Sequence, residues 1–299
     1  MIYHLYIVDA FVVDNQSFTG NPAAVCLLDF DDDITDDIKQ KIASEMNLSE
    51  TAFVAKSWTK SLNVSPNNYT LRWFTPTNEV DLCGHATLAT ACVIFNEILK
   101  NSNENIIKFE TKFKGYLNAI YSGNGLITLN FPVNDSKPLT GYQWIPDIIR
   151  YTLGPHLSDK SVEEVEYSSG TKKILLRLKD SLQSEIIHKV VPNFAELLNI
   201  DTNGMVRGII VTKKSERVHF LSRYFSPWNG INEDPVTGSA HTVLTPYWLR
   251  QYNKVGTELD QLIGHQCSRR GGIIYCRLAE DRVKLSGNTK IVVSAQINV

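Results

Sequence analysis

The sequence predicts an α+β fold made of two similar halves, each with mostly antiparallel strands around one buried helix. The segment 72–87, RWFTPTNEVDLCGHAT, is echoed by 223–241, RYFSPWNGINEDPVTGSAH, in which the arginine, the aromatic pair, the hydroxyl residue and the proline recur in order. Gly84 then matches Gly238, about half of the 299-residue chain later. Each copy leads into a largely apolar helical segment, and a repeat at half-length predicts two domains.

The first half begins with strand-like alternation, followed by a turn-rich segment and a second apolar strand around 25–28. Isoleucines at four-residue spacing, at positions 34, 38 and 42, then predict an amphipathic helix. The stretch TAFVAKS resumes a strand. Glu50 therefore lies where a helix ends and a strand begins, a place where loops commonly present functional side chains.

The helix after the first motif, ATLATACVIFNEIL, is apolar nearly all round, which predicts burial on every side. In the corresponding helix of the second half, Pro246 predicts a kink or a stop. Prolines and polar turn residues at 131–141 mark the boundary between the halves. The predicted domains are 1–132 and 133–288, and the strand 289–299 lies beyond the second repeat, so it could return to complete the first domain.

The composition argues against nucleic acid and membrane partners. Hydrophobic residues make up 43% of the chain and charged residues 21%, as in ordinary folded proteins. Thirty basic residues against 32 acidic ones give a net charge of -2, and no block of lysine and arginine is present to follow phosphates or anionic lipid. The N-terminus lacks the pattern of a signal peptide, and no apolar run approaches the length of a membrane span. We expect a cytoplasmic protein.

Cysteine and histidine spacing predicts neither a disulfide framework nor a metal site. The five cysteines are odd in number, widely spread and form no CxxC pair. Histidines and acids lack metal-ligand spacings such as HxxxH or HxH. The GNG at 123–125 continues into neither a phosphate-binding loop nor a dinucleotide fingerprint. The sequence therefore predicts no metal and no nucleotide cofactor.

The repeated glycines could mark ligand-binding helix starts. A helix N-terminus has unpaired backbone N–H groups and the positive end of its dipole, so Gly84 and Gly238 could let an anion approach. The alternative is that both are plain helix entries, with Ser239 as an N-cap. His85 alone is more often structural than catalytic, and Glu50 alone is more often a surface carboxylate. From the residues themselves, both interpretations remain open.

Five ordered motifs give the sequence a specific resemblance. They are DAFVVDNQSFTGNPAAVCLL at 9–28, EMNLSETAFV at 45–54, RWFTPTNEVDLCGHATLA at 72–89, FSPWNGINEDPVTGSAHTVL at 225–244 and QCSRRGG at 266–272. With these motifs the chain resembles the phenazine-biosynthesis PhzF-like family, within the diaminopimelate epimerase fold. The resemblance implies two pseudo-symmetric domains, each a rolled sheet around a central helix, with the active site in the cleft between them.

The resemblance also implies which residues act. Enzymes of this family move a proton on carbon without metal, nucleotide or pyridoxal, and the glutamate of the SET motif, here Glu50, is the proton carrier. The family's other catalytic positions fall on His85, Asp234 and Ser239. Backbone N–H groups of Gly84 and Gly238 would bind the substrate. A carboxyl in a closed cleft can both take and return a proton, and fixed donors can stabilise developing negative charge.

The related epimerases use two cysteines, one from each half. Cys83, directly before Gly84, matches the first, but Thr237 stands before Gly238, and a hydroxyl is far too weak a base to replace a thiolate. The resemblance implies that Cys83 and Thr237 lie beside the substrate. The alternative for Cys83 is a small buried hydrophobic residue.

The leading hypothesis is a cofactor-independent isomerase acting on a small anionic, carboxylate-bearing metabolite. The alternatives are an epimerase or racemase using Cys83, and a catalytically inactive metabolite-binding protein. The resemblance also makes a homodimer plausible.

Overall fold

A computed structural model describes residues 1–14, 16–31, 33–56, 67–123, 125–254 and 259–299. The chain forms two compact units, one of Met1–Asn130 with Ser286–Val299 and one of Phe131–Leu285. The α+β class predicted from the sequence is confirmed. The domain limits 1–132 and 133–288 stay predictions about which segments fold as units. Among the described residues, no helix combines the length and the apolar character that crossing a bilayer requires.

The first half of the chain contains eight strands and two α-helices within the described ranges. In chain order they are β1 Ile2–Ala10, β2 Asn21–Leu28, α1 Asp36–Met46, β3 Thr51–Lys56, β4 Asn68–Phe74, β5 Glu79–Val80, α2 Gly84–Val93, β6 Ile106–Thr111, β7 Gly115–Tyr121 and β8 Leu126–Pro132. A π-helical turn, Ile94–Ile98, extends α2. The predicted amphipathic helix is α1, and Thr35 caps it by accepting from the Ile38 N–H.

The strands of the first unit roll around α2. The order is β1-β2-β3-β4-β6-β7-β8, and the last strand of the chain, β16 Arg282–Asn298, pairs with both β8 and β1. Its register with β1 runs from Ile2 opposite Asn298 to Ala10 opposite Thr289, so the sheet closes on itself. Every residue of α2 from His85 to Val93 is buried, as the apolar sequence of this helix predicts.

The second half repeats this plan with added helices. Its elements are β9 Lys137–Pro138, α3 Ile145–Leu153, β10 Val162–Ser168, β11 Lys173–Leu178, α4 Phe194–Asn199, β12 Gly208–Lys214, β13 Phe220–Phe225, α5 Gly238–Lys254, β14 Leu262–Gln266, β15 Gly272–Ala279 and β16. The strand order is β9-β10-β11-β12-β13-β14-β15-β16.

The helix α5 occupies the place in the second unit that α2 occupies in the first. Three of the strands contact it: the Trp248 indole N–H donates to Thr212 on β12 at 3.0 Å, Trp248 stacks on Phe220 of β13, and Tyr247 donates to Glu164 of β10 at 2.5 Å. Both units are therefore rolled sheets around one central helix.

The predicted stop at Pro246 is wrong, because α5 continues through this residue to Lys254. A proline within a helix leaves the carbonyl four residues earlier without its N–H donor. That carbonyl belongs to Thr242, and it accepts from the backbone N–H of Asn134 at 3.3 Å. The neighbouring segment thus supplies the missing hydrogen bond.

Candidate active site

The repeated motif builds the same arginine–glutamate pair in both units. Arg72 on β4 donates through Nε and Nη2 to both carboxylate oxygens of Glu79, at 2.7 and 3.0 Å. Arg223 on β13 does the same to Glu233, at 2.6 and 2.8 Å. Such two-point pairing fixes geometry as well as charge. The first pair joins β4 to β5, and the second joins β13 to the segment that precedes α5.

In the first unit, Glu50, Cys83 and His85 converge. Glu50 directly precedes β3, and Cys83 and His85 flank the first residue of α2. The His85 ring lies between the other two side chains, because Nε2 is 3.3 Å from Glu50 Oε2 and Nδ1 is 3.4 Å from Cys83 Sγ. The Glu50 side chain is only 13% exposed. The structure therefore brings together three of the predicted site residues.

Asn21, the first residue of β2, orients the His85 ring. Its Nδ2 lies 3.3 Å from His85 Nδ1 in a fully buried position. The Asn21 amide and the Cys83 thiol both contact Nδ1, and Nε2 faces the Glu50 carboxylate. Burial lowers the pKa of His85 to about 4, partly opposed by a hydrogen bond to the Pro22 backbone. His85 is therefore neutral near pH 7.

The start of α2 is held by its own side chains rather than by a conventional cap. Cys83 is the N-cap residue, with extended backbone angles and no capping hydrogen bond from its side chain. Its carbonyl accepts from both the N–H and the hydroxyl of Thr87, at 3.1 and 2.6 Å. The first-turn N–H groups, including that of Gly84, lack intrahelical acceptors by helix geometry and can serve a ligand.

In the second unit, Asp234, Thr237 and Gln266 form a hydrogen-bonded group before α5. The Thr237 hydroxyl donates to Asp234 Oδ2 at 2.5 Å. Gln266 locks the loop, because its Oε1 accepts from the Thr237 N–H at 2.9 Å and its Nε2 donates to the Asp234 carbonyl at 2.7 Å. Gly238 is buried and begins the helix, while the next residue, Ser239, is exposed.

The structure adds residues that sequence reasoning did not select. Asn21 and Gln266 lie inside the recognised motifs, but no role for them followed from those motifs alone. Lys173 carried no signal at all. It is 7% exposed, donates to the Thr171 carbonyl at 3.4 Å and lies over the Tyr224 ring at 5.5 Å. Burial lowers its pKa to about 8, with the charge of Asp234 acting in the opposite direction.

The predicted residues therefore fall into two groups, one per unit. Glu50, Cys83, His85 and Gly84 belong to the first. Asp234, Thr237, Gly238 and Ser239 belong to the second. One ligand atom each from Glu50, Cys83 and His85 lie within 4.8 Å of one another, although the three residues come from two separate segments.

The first group has the parts of a proton-transfer site. A nearly buried carboxyl next to a neutral imidazole can take or give a proton, and helix N–H groups nearby can stabilise negative charge. The second group adds a carboxylate and two hydroxyls at an equivalent helix start. The fold and these side chains define an α+β protein in which a carboxyl, a thiol and an imidazole meet at the start of a buried helix.

The chain belongs to the phenazine biosynthesis-like (PhzC-PhzF) family. The family model described as "Phenazine biosynthesis-like protein" matches residues 8–295. A bovine phenazine biosynthesis-like domain-containing protein is 41% identical over 300 residues, covering 98% of both chains. A Halalkalibacterium halodurans protein named an uncharacterized isomerase is 42% identical over 296 residues, covering 98% of this chain and 97% of that one. The resemblance inferred from the five motifs is confirmed.

Solved structures agree with the fold. A PhzF family protein from Enterococcus faecalis is 35% identical and superimposes with a TM-score of 0.82, covering 100% of both chains. A hydroxyproline epimerase from Agrobacterium vitis is 10% identical with a TM-score of 0.57, over 99% of this chain and 92% of that one, and so shares the fold alone. Together the comparisons support an isomerase-type enzyme.

Proposed function

We propose that this protein is a cofactor-independent isomerase that shifts a proton on carbon in a small, carboxylate-bearing metabolite. Glu50 carries the proton from one carbon to another. The observation that supports this most is the position of Glu50, whose 13% exposed side chain lies 3.3 Å from the ring of His85. A carboxyl withdrawn from water beside a neutral imidazole suits a group that must accept and then return a proton.

His85 assists Glu50 through its hydrogen bonding and through its lack of charge. The neutral imidazole faces the Glu50 carboxyl through Nε2, 3.3 Å away, and can hydrogen-bond to it as Glu50 gains or loses its proton. Asn21 keeps the ring in this orientation. Because the pKa of His85 is about 4, the imidazole adds no positive charge that would make Glu50 a weaker base at neutral pH.

Negative charge that develops on the substrate needs fixed donors. The first turns of α2 and α5 begin at Gly84 and Gly238, and glycine lets a ligand approach the backbone closely. Ser239 contributes a hydroxyl, and Asp234, held by Thr237, holds or relays a proton. These assignments make a carboxylate-bearing metabolite the natural ligand, because both helix starts favour anions.

The test is deuterium incorporation from heavy water. A defined pool of small carboxylate metabolites is incubated with the wild-type protein and with Glu50→Gln, and carbon-bound deuterium is measured by mass spectrometry. General acid–base catalysis contributes about 10²- to 10⁴-fold, so incorporation should fall by that factor in Glu50→Gln.

Glu45→Gln is the matched control, because Glu45 is an exposed carboxylate of α1. It should label the pool at the wild-type rate. Equal labelling by wild type and Glu50→Gln would contradict the assignment of the carrier. Retention of a pool metabolite without labelling by either protein would favour the binding-protein alternative.

A second candidate is an epimerase or racemase in which Cys83 is a base. The 3.4 Å contact between Cys83 Sγ and His85 Nδ1 favours it, since a histidine can assist a thiol. Against it, the corresponding residue in the second unit is Thr237, whose hydroxyl is engaged with Asp234. We also propose a homodimer, which light scattering of the purified protein would test.

A further inference from the structure

The hairpin of β10 and β11 places a buried lysine beside a buried serine in the second unit. Lys173 begins β11 and is 7% exposed, and Ser168 ends β10 and is fully buried. The two residues are directly paired across the strands, so their side chains lie on the same face of the sheet. Glu164 lies on this face as well and accepts from Tyr247 of α5. The face therefore points at the central helix.

The polar groups of this hairpin have more hydrogen-bonding capacity than the described residues use. Within the described part of the chain, Ser168 Oγ and Thr171 Oγ1 are buried without a hydrogen-bond partner. The Lys173 ammonium donates to the Thr171 carbonyl at 3.4 Å and lies 5.5 Å from the centre of the Tyr224 ring. An ammonium has three N–H donors. Buried polar groups normally have partners, so this group of side chains can accept a further one.

The group lies beside the segment that leads into α5. The backbone N–H of Asp234 donates to the Tyr224 carbonyl at 3.1 Å. Burial lowers the pKa of Lys173 to about 8, with the charge of Asp234 acting in the opposite direction. Burial also raises the pKa of Tyr224 to about 12, and the charge of Asp234 adds to this effect. Near pH 7 the lysine is therefore mostly charged and the phenol is neutral.

These groups select an anion of low charge as the ligand. An ammonium and two hydroxyls are all able to donate, and a carboxylate accepts through both of its oxygens. A single negative charge compensates the buried ammonium, which a neutral ligand would not do. A phosphate dianion would bring excess charge close to Asp234, and like charges repel. A carboxylate therefore fits better than a phosphate.

We propose that Lys173 and Ser168 bind a carboxylate group of a ligand in the second unit. The ammonium pairs with the charge of the carboxylate, and the Ser168 hydroxyl donates to one of its oxygens. This role gives the lysine and the serine a partner that the described residues do not supply. The inference rests on the proposed function only for the identity of the ligand: the carboxylate belongs either to the isomerase substrate or to a separate metabolite.

The experiment uses acetate as the probe, because it is a carboxylate with almost nothing else attached. Thermal unfolding of the full-length protein is measured while sodium acetate replaces sodium chloride at constant ionic strength. We expect a saturable rise in Tm with a half-saturating concentration on the order of millimolar, since a ligand this small makes few contacts. Acetamide, a neutral molecule of the same shape, should give no such rise.

Lys173→Met keeps the apolar stem and removes the charge, so acetate should bind at least about tenfold more weakly to this variant. Lys172→Met is the matched control, because Lys172 is the exposed lysine next to it, and its acetate response should equal that of wild type. No saturable rise in the wild type overturns the site. An equal response in Lys173→Met overturns it as well.

Ser168→Ala separates a binding role from a structural one. Its hydroxyl has no partner among the described residues, so its removal should not lower the Tm measured without acetate. Acetate binding should nevertheless weaken by about tenfold, because a hydrogen bond to a charged group is lost. A lowered Tm with unchanged acetate binding would show that this hydroxyl is structural and would overturn its part in the site. This variant also serves if Lys173→Met does not fold.

The heavy-water assay then identifies the source of the carboxylate. If it belongs to the isomerase substrate, acetate should suppress labelling competitively, and Lys173→Met should raise KM about tenfold or more with a smaller change in kcat. Acetate binding that leaves labelling unchanged assigns the site to a separate metabolite. If wild type labels nothing in the pool, the acetate titration still decides the site, so failure of the proposed isomerase function and failure of this inference are distinguishable.

Discussion

The two halves of the chain share one order of strand pairing but differ in the side chains near the start of the central helix. In each, five successive strand pairs alternate between antiparallel and parallel: β1 to β7 (omitting β5) in the first half, and β10 to β15 in the second. Phe74 faces Thr51 across one pair, and Phe225 faces Ile209 across the other. Because Phe74 corresponds to Phe225, Thr51 corresponds to Ile209. The residues directly before them, Glu50 and Gly208, therefore also correspond.

The second half therefore has no carboxyl at the position of the proposed proton carrier. Gly208 lies against Tyr224, because a Cβ atom there would come within 2.2 Å of the Tyr224 hydroxyl oxygen. By the same register, Lys173 matches Ala23. The first half thus has an acid beside a small residue where the second has a buried cation beside a glycine.

The two central helices begin with different side chains at equivalent positions. Thr87 and His241 are equivalent, and the side chain of each bonds to the carbonyl of the residue before the helix: Thr87 to Cys83 at 2.6 Å and His241 to Thr237 at 2.8 Å. In both halves this side chain holds the first turn of the central helix, although it is a threonine in one and a histidine in the other. One half can therefore keep a reactive carboxyl and imidazole while the other provides hydroxyls, because the shared frame depends on neither set.

The largest stability effect is expected at Gly208, which corresponds in the second half to Glu50 in the first. Gly208→Ala inserts a methyl group into a buried ring contact, and such overpacking destabilises by about 1–3 kcal/mol. Urea unfolding would measure the loss. Gly170→Ala is the control, since its Cβ meets only the side-chain end of Asn134 and should change stability by about 0.5 kcal/mol or less. Equal losses in both variants would show that the Tyr224 contact is unimportant.

The next effect is a dependence of the free energy of unfolding on pH. Burial, opposed by the hydrogen bond to Thr237, lowers the pKa of His241 to about 4 from 6.5. Between these values the unfolded chain binds the proton and the folded chain does not, so stability falls as pH drops from 6.5 toward 4. The slope from one histidine is at most about 1.4 kcal/mol per pH unit.

His241→Gln should flatten this slope, measured by urea unfolding at several pH values. The test compares slopes, because losing the ring that packs on Phe220 lowers stability at every pH. His4→Gln, a change at an exposed histidine, should leave the slope as in wild type. An unchanged slope in His241→Gln would mean that this histidine titrates normally in the folded protein.

The smallest effect is expected from Cys83. If Glu50 carries the proton, Cys83→Ala should leave deuterium incorporation within about tenfold of wild type, since general acid–base loss produces about 10²-fold or more. The assay is the heavy-water labelling described above. A loss as large as that of Glu50→Gln would instead favour the thiol as a base, and with it the racemase alternative.

Some of the site followed from sequence and some did not. The repeated motif predicted two similar halves, and an arginine–glutamate pair forms in each of them. The proximity of Cys83 to His85 did not follow from their spacing, because residues two apart on a helix do not share a face. They meet because Cys83 is the extended N-cap residue and only His85 is helical. Pro246 does not end α5, because the backbone N–H of Asn134, far away in the sequence, donates to the Thr242 carbonyl that the proline leaves without a donor.

The sequence by itself determined the two-fold repeat, the two buried helices and the segments that hold candidate side chains, because periodicity and turn residues are local properties. Only the tertiary structure decided that Glu50 and His85 are neighbours, because the parallel pairing of β2 with β3 and the packing of α2 against both strands bring distant segments together. Burial, which lowers the pKa values of His85 and Lys173, arises from that packing as well.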